Sequence, residues 1–302
     1  MSTHPATIAI IGYGEVGRIF ARELIALGYR LRCSDVLLND PKAGPELREQ
    51  AAAAGVTACA GVAEALAGAD IVISAVTASS SLAVAEEAAR HIRAGQFFLD
   101  LNSASPSTKQ KSGAAIDAAG GHYVEAAVMA SVPPYGIRVP IILGGKKREA
   151  LMALLPADKM QLQAGVDEIG VASAVKMCRS IMIKGIEALT VECLLTARRY
   201  GVEERVLASL DETFPHMDWQ KQGDYLVSRV VQHGRRRAAE MREVARTVEE
   251  AGLIPLLAAP TAERQDWMAD QVAAGTVARS EKSWRKVADA IRDKEQKRKA
   301  AA

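Results

Sequence analysis

The sequence predicts a doubly wound α/β sheet followed by an all-helical domain. From Thr7 to about Gly165, short β-branched runs alternate with Ala-rich amphipathic stretches, the pattern of a βαβ series with a parallel sheet. A strand-type run, Ile8–Ile11, leads directly into a G-x-G-x-x-G turn and then an amphipathic stretch. After Gly170 the strand signal almost vanishes. A chain of 302 residues is long enough for two domains at roughly 100–200 residues each, here taken as residues 1–167 and 168–302.

The strand candidates are Ile8–Ile11, Leu31–Cys33, Ile71–Val76, Phe97–Leu99, Tyr123–Val128 and Val139–Leu143. Helices are expected between them at Glu15–Leu27, Pro45–Ala54, Val62–Ala67, Ser80–Ile92 and Pro106–Ala119. The last starts at Ser105-Pro106, where a proline loses nothing because that first N–H has no helical partner anyway. In the second part, Ala172–Tyr200 reads as one long helix. Glu203–Leu210, Tyr225–His233, Arg236–Ala251, Ala262–Ala274 and Ser283–Lys297 follow it, with Gly252 to Pro255 ending the fourth of these six. The charged run Asp293–Lys299 is expected to be a solvated, frayed helix end.

Composition excludes several classes of function. With 49% hydrophobic and 25% charged residues, neither a disordered chain nor a membrane bundle is supported. The 38 basic against 36 acidic residues leave +2, too little to draw the protein to nucleic acid or an anionic membrane. Cys33, Cys59, Cys178 and Cys193 form no C-x-x-C pair, so no metal site or disulfide framework is expected. No apolar run approaches the ~20 residues that span a bilayer, and the first residues lack a leader pattern, so a cytoplasmic location is expected.

The densest local signal is Gly12-Tyr13-Gly14-Glu15-Val16-Gly17. Gly12 permits the tight turn, Gly14 lets a pyrophosphate approach the backbone at a helix N-terminus, and Gly17 allows close helix–strand packing. Asp35 ends the next strand, where a carboxylate accepts hydrogen bonds from an adenosine ribose diol. An acid there repels a 2′-phosphate, so NAD is expected and NADP is less favoured, although Arg30 and Arg32 supply positive charge if they point the same way. The cofactor candidates are therefore the turn residues Gly12 to Gly17 together with Asp35, joined by Val76, Thr77, Asn102 and Ser103.

Hydride transfer to a nicotinamide needs a partner that moves the alcohol proton. No tyrosine has a lysine four residues on, which excludes a Tyr-x-x-x-Lys pair, and no cysteine–histidine set offers a zinc site. Lys176, near the start of the long helix, is the acid–base candidate.

With Gly12 through Asp35 and the stretch Gly170–Ser180, the chain resembles the β-hydroxyacid dehydrogenase family, whose members include 3-hydroxyisobutyrate dehydrogenase. The resemblance spans most of the chain and implies a Rossmann-type domain followed by a helical one. The family's Asp-x-Ser-Thr-x-x-Pro block, bordering the nicotinamide, corresponds to Asp100–Pro106. Its substrate block corresponds to Glu125–Ser131, with Met129 in place of the serine that holds a substrate carboxylate. Its catalytic block keeps Lys176 but carries Ser180 instead of asparagine. These departures, with His233–Met241, resemble a branch carrying a C-terminal domain of unknown function, DUF1932. The resemblance implies Met129, Ala130 and Ser131 on the substrate side and a homodimer or larger oligomer.

Spacing of four aligns Lys176, Ser180 and the competing Lys184 on one helix face, with Arg179 near the same edge. A cationic neighbour disfavours a protonated lysine, so Lys176 is expected to take the hydroxyl proton while Ser180 orients the same oxygen. Arg179, Arg236 and Arg237 are candidates for a substrate carboxylate, and His233 and Glu240 are further contact candidates. The expectation is an NAD-dependent dehydrogenase of a hydroxy acid or related polar alcohol, a small-molecule enzyme. The rivals are an imine or ketone reductase of the same fold and a non-catalytic NAD-binding sensor.

Overall fold

The structure is a computed structural model that describes residues 6–300. It divides into two compact units, Met1–Met177 and Cys178–Ala302, so the division falls inside the long helix and not at the 167/168 junction.

The first unit runs β1 (Thr7–Ile11), α1 (Glu15–Ala26), β2 (Arg30–Ser34), α2 (Gly44–Ala53), β3 (Val56–Ala58), α3 (Val62–Leu66), β4 (Ile71–Ser74), α4 (Ser81–Ala89), β5 (Phe97–Asp100), α5 (Pro106–Ala118), β6 (His122–Val128), β7 (Ile141–Gly144), α6 (Arg148–Met152) and β8 (Leu162–Ala164). These strands form one eight-stranded sheet in the order β3-β2-β1-β4-β5-β6-β7-β8. Alternation along β1 shows why both faces are covered: Ile8 and Ile10 belong to one apolar cluster, Ala9 and Ile11 to another. Pro106 sits at the start of α5, and Ser105 Oγ accepts from the Thr108 N–H at 3.4 Å, as the sequence predicts.

Two strands depart from the expected parallel sheet, β7 and its parallel neighbour β8. β7 pairs antiparallel with β6 because the connecting segment contains only a short 3₁₀ turn, Gly136–Arg138, and no crossover helix. β3, α6 and β8 have no counterpart among the expected elements. Each is only three to five residues long, too short to show a period.

The helices α7 (Val171–Tyr200), α8 (Glu203–Thr213), α9 (Trp219–Glu250), α10 (Ala258–Ala273) and α11 (Trp284–Ala300) complete the chain. The two helices expected at Tyr225–His233 and Arg236–Ala251 are one continuous α9. Gly234 does not break it. A Cβ at Gly234 would lie 2.6 Å from the Gln265 carbonyl oxygen, so this glycine lets α9 approach α10 closely. Val191, Leu194, Val227, Val230 and Trp284 form the helical unit's core. α11 stays helical through the charged run to Ala300, with that end exposed. Among the described residues no helix is long and apolar enough to cross a membrane.

Candidate functional site

In an open parallel sheet, ligands bind beyond the carboxyl ends of the strands, where strand order reverses. Here that reversal lies between β1 and β4, since β2 and β3 extend one way and β4 to β6 the other. Gly12–Gly14 follow β1, Asp35 follows β2, Val76 and Thr77 follow β4, Asn102 and Ser103 follow β5, and Met129–Ser131 follow β6. One edge of the sheet thus gathers the cofactor candidates.

The glycine turn has the expected division of labour. Gly12 has φ +93°, and a Cβ there would meet the Ala75 carbonyl oxygen at 2.5 Å. A Cβ on Gly17 would lie 2.1 Å from the Gly12 oxygen, so only glycine lets α1 start this close to β1. Gly14 is different, because nothing lies within 4 Å of its added Cβ. As the N-cap of α1 it offers no side-chain hydrogen bond, which leaves the first-turn amides of Glu15, Val16 and Gly17 open to an external acceptor. This is space at a helix N-terminus that a diphosphate fills and a side chain would block, so the chain fits a dinucleotide.

Asp35 has a second task beside the one its position predicts. Its Oδ2 accepts from the Tyr13 N–H at 2.7 Å and its Oδ1 from the Leu37 N–H at 2.9 Å, tying the glycine turn to the segment after β2. Each oxygen keeps a further lone pair for a ribose hydroxyl. Tyr13 itself is buried, so the turn it belongs to presents backbone. Arg32 is engaged elsewhere: its guanidinium donates to the carbonyls of Ala67 and Glu64 at 2.9 and 2.8 Å. Arg30 starts β2, at the end of the strand away from Asp35.

The Asn102 side chain is engaged within the protein. It is buried, its Oδ1 accepts from the Val76 N–H at 2.7 Å, and its Nδ2 donates to Ser74 Oγ at 2.9 Å. Its side chain therefore joins the turns after β4 and β5, while half-buried Ser103 and exposed Thr77 remain outward on the same edge. Behind it lies a buried network: Asp100 Oδ1 accepts from Lys109 Nζ and from the Asn102 N–H, both at 2.9 Å, and Oδ2 accepts from the Tyr123 hydroxyl at 2.8 Å.

Glu125 opens the segment Glu125–Ser131 and has a structural task of its own. Fully buried on β6, its carboxylate accepts from the N–H groups of Gly170, Ala172 and Ser173 at 2.8, 3.3 and 3.3 Å. A negative charge at a helix N-terminus is favourable, so Glu125 anchors the start of α7 on the sheet. Lys176 follows within the next turn and is half-buried. An ionisable residue in the middle of an apolar strand run is the sequence signal for such an anchor, since a buried acid needs donors. Of the residues expected on the substrate side, Met129 and Ala130 are half-buried and Ser131 is exposed.

The helical unit sorts the remaining candidates. Arg237 is 5% exposed and pairs through both arms with Glu187, Nε to Oε2 at 2.8 Å, so it is engaged internally and is not available as the substrate anchor the sequence allowed. Arg179 is exposed. Arg236 Nη1 meets Glu240 Oε1 at 2.7 Å, and Glu240 Oε2 meets Lys184 Nζ at 3.1 Å. Lys184 also donates to Ser180 Oγ at 3.1 Å.

His233 is pushed down to about 4 by burial first, then by the charges of Arg236, Arg229, Arg237 and Arg279. It is thus a neutral imidazole near pH 7. An unfolded chain protonates this residue near 6.5 and the folded one near 4, so stability falls as pH drops through that window. The imidazole C2–H shift in NMR is expected to titrate with a midpoint near 4, and Arg236→Ala should raise it; an ordinary midpoint in the wild type would contradict this environment.

Comparison with known proteins agrees with this geometry. Residues 7–153 match the NAD binding domain of 6-phosphogluconate dehydrogenase, and residues 197–268 match the domain of unknown function DUF1932. A conserved protein whose structure is described as similar to 3-hydroxyacid dehydrogenases is 32% identical, over 89% of this chain and 99% of its own, with a TM-score of 0.67. The chain belongs to the β-hydroxyacid dehydrogenase family. Another relative within reach of this β-hydroxyacid dehydrogenase-like chain is a conserved hypothetical protein from Sinorhizobium meliloti 1021, 40% identical over 96% of both chains with a TM-score of 0.71. An NAD-dependent L-serine dehydrogenase from Pseudomonas aeruginosa is 26% identical over 211 residues, 67% of this chain and 68% of its own.

Proposed function

We propose that this protein is an NAD-dependent dehydrogenase that oxidises the hydroxyl group of a hydroxy acid or related polar alcohol, with Lys176 as the general acid–base. The observation that carries the reading is the anchoring of α7 by Glu125, which fixes the approach of Lys176 to the sheet that also bears the cofactor turn. The open first turn of α1 would take the diphosphate, and Asp35 the adenosine ribose. The placement of Arg32 on two carbonyls, away from Asp35, supports NAD over NADP.

A bound nicotinamide supplies the hydride acceptor. Lys176, in its neutral amine form, takes the proton from the substrate oxygen as that oxygen becomes a carbonyl, and returns it in the reverse direction. Ser180, one turn further on, donates a hydrogen bond to the same oxygen. Met129 and Ala130 give the substrate side an apolar part, so an alcohol with an apolar or aryl portion suits it better than a fully hydroxylated sugar acid.

The test is NADH formation by the purified protein across hydroxy acids, including serine and 3-hydroxyisobutyrate, aryl-bearing alcohols and amines, with NAD and NADP in parallel. Turnover of a hydroxyl substrate with NAD is the expected result. Tight NAD binding with no turnover on any substrate would identify a sensor instead, and turnover restricted to amines an imine reductase.

A further inference from the structure

Ser180 is 7% exposed, and its Oγ accepts a hydrogen bond from Lys184 Nζ at 3.1 Å. Among the described residues no acceptor is found for the hydroxyl's own hydrogen, not even a backbone carbonyl one turn back along α7. A buried O–H with nothing to donate to is costly, and a ligand that supplies an acceptor removes that cost. The direction of the Lys184 bond is set from behind. Lys184, 6% exposed, also meets Glu240 Oε2 at 3.1 Å, and a protonated amine has donors only. Burial lowers the lysine from its ordinary value, and Glu240 opposes that shift. Glu240 in turn receives Arg236 at 2.7 Å, and the charges of Arg237 and Glu187 also act on Lys184.

We propose that Lys184, held by Glu240, is a positioning residue that fixes Ser180 as a hydrogen-bond donor, and that the substrate atom meeting Ser180 is therefore an acceptor oxygen and not an iminium nitrogen. An alcohol or carbonyl oxygen has lone pairs for the Ser180 hydrogen; an iminium nitrogen has none and carries the same sign of charge as Lys184. The inference rests on the preceding reading, in which Lys176 acts on the substrate oxygen. It adds which residue orders Ser180 and which substrate class that order admits. Because the oxygen is most basic in the transition state, where the proton is leaving, the donor acts on kcat more than on KM.

The experiment is a double-mutant cycle on the full-length protein with the best hydroxyl substrate of the panel. Ser180→Ala and Lys184→Met are each expected to lower kcat roughly tenfold with KM nearly unchanged, and the double variant to be no slower than Lys184→Met alone. Lys184→Met leaves Glu240 without one of its cations, so the cycle is repeated with Lys184→Gln paired with Glu240→Gln, which removes both charges together. Reduction of the matching ketone should fall in Ser180→Ala, while any reduction of a preformed cyclic iminium should not. Losses that multiply in both cycles, or an equal loss on ketone and iminium, would overturn the proposal while leaving the dehydrogenase reading intact. A wild type inactive on every alcohol and ketone would overturn that reading and the proposal with it.

Discussion

Lys176→Ala is expected to lower kcat by about 10²–10⁴-fold, the range that a positioned general acid–base contributes. Cofactor affinity should stay within about twofold, a change on the order of RT. The split follows from the architecture. The turn that receives the dinucleotide is held by hydrogen bonds from Tyr13 to Asp35 and from Val76 to Asn102, in which Lys176 takes no part. Lys176→Arg should not rescue the rate, because a guanidinium stays protonated and cannot accept the hydroxyl proton. Stopped-flow absorbance of NADH in a single turnover, with a fluorescence titration of the cofactor, checks both halves. A variant with wild-type kcat would move the acid–base role away from Lys176.

The parts of this protein that were legible in its sequence are those set by short-range rules. The glycine turn was readable because each glycine answers a local steric demand, and the Cβ positions at Gly12 and Gly17 show the same demand in space. The helix start at Ser105-Pro106 was readable for the same reason. What was not readable depends on partners far along the chain. Gly234 looks like a helix stop, yet it sits inside α9 because Gln265 passes close by. Arg237 and Arg236 are neighbours of one type, and only the fold shows that the first faces Glu187 in the interior while the second is half-exposed beside Glu240. Glu125 could have been flagged as a charge inside an apolar run, but its partners, the amides at the start of α7, lie more than forty residues on. Lys184 and Lys176 share a helix face in the sequence, and only the fold shows Lys184 buried beside Glu240 while Lys176 is half-buried.

The largest stability effect is expected at Lys109. Both Lys109 and Asp100 are 0% exposed, and Lys109 Nζ meets Asp100 Oδ1 and its backbone oxygen, each at 2.9 Å. Lys109→Met leaves a carboxylate in the interior without its cation, a loss of about 3–5 kcal/mol in comparable buried pairs. The Tyr123 phenol cannot replace the cation: burial, then the charge of Asp100, hold it well above its ordinary value, so it remains a neutral donor. Adding Asp100→Asn removes the stranded charge, keeps one oxygen for the Asn102 N–H and turns an amide N–H toward the Tyr123 hydroxyl oxygen, which can accept it, and should recover most of the loss. Urea midpoints at constant m-value measure all three proteins. Because Asn102 bridges the turns after β4 and β5, the single variant should also bind NAD more weakly than the double one. Equal stability of the single variant and the wild type would mean that the pair contributes nothing beyond its volume, and that Tyr123, Ser81 and the Asn102 amide suffice to hold Asp100.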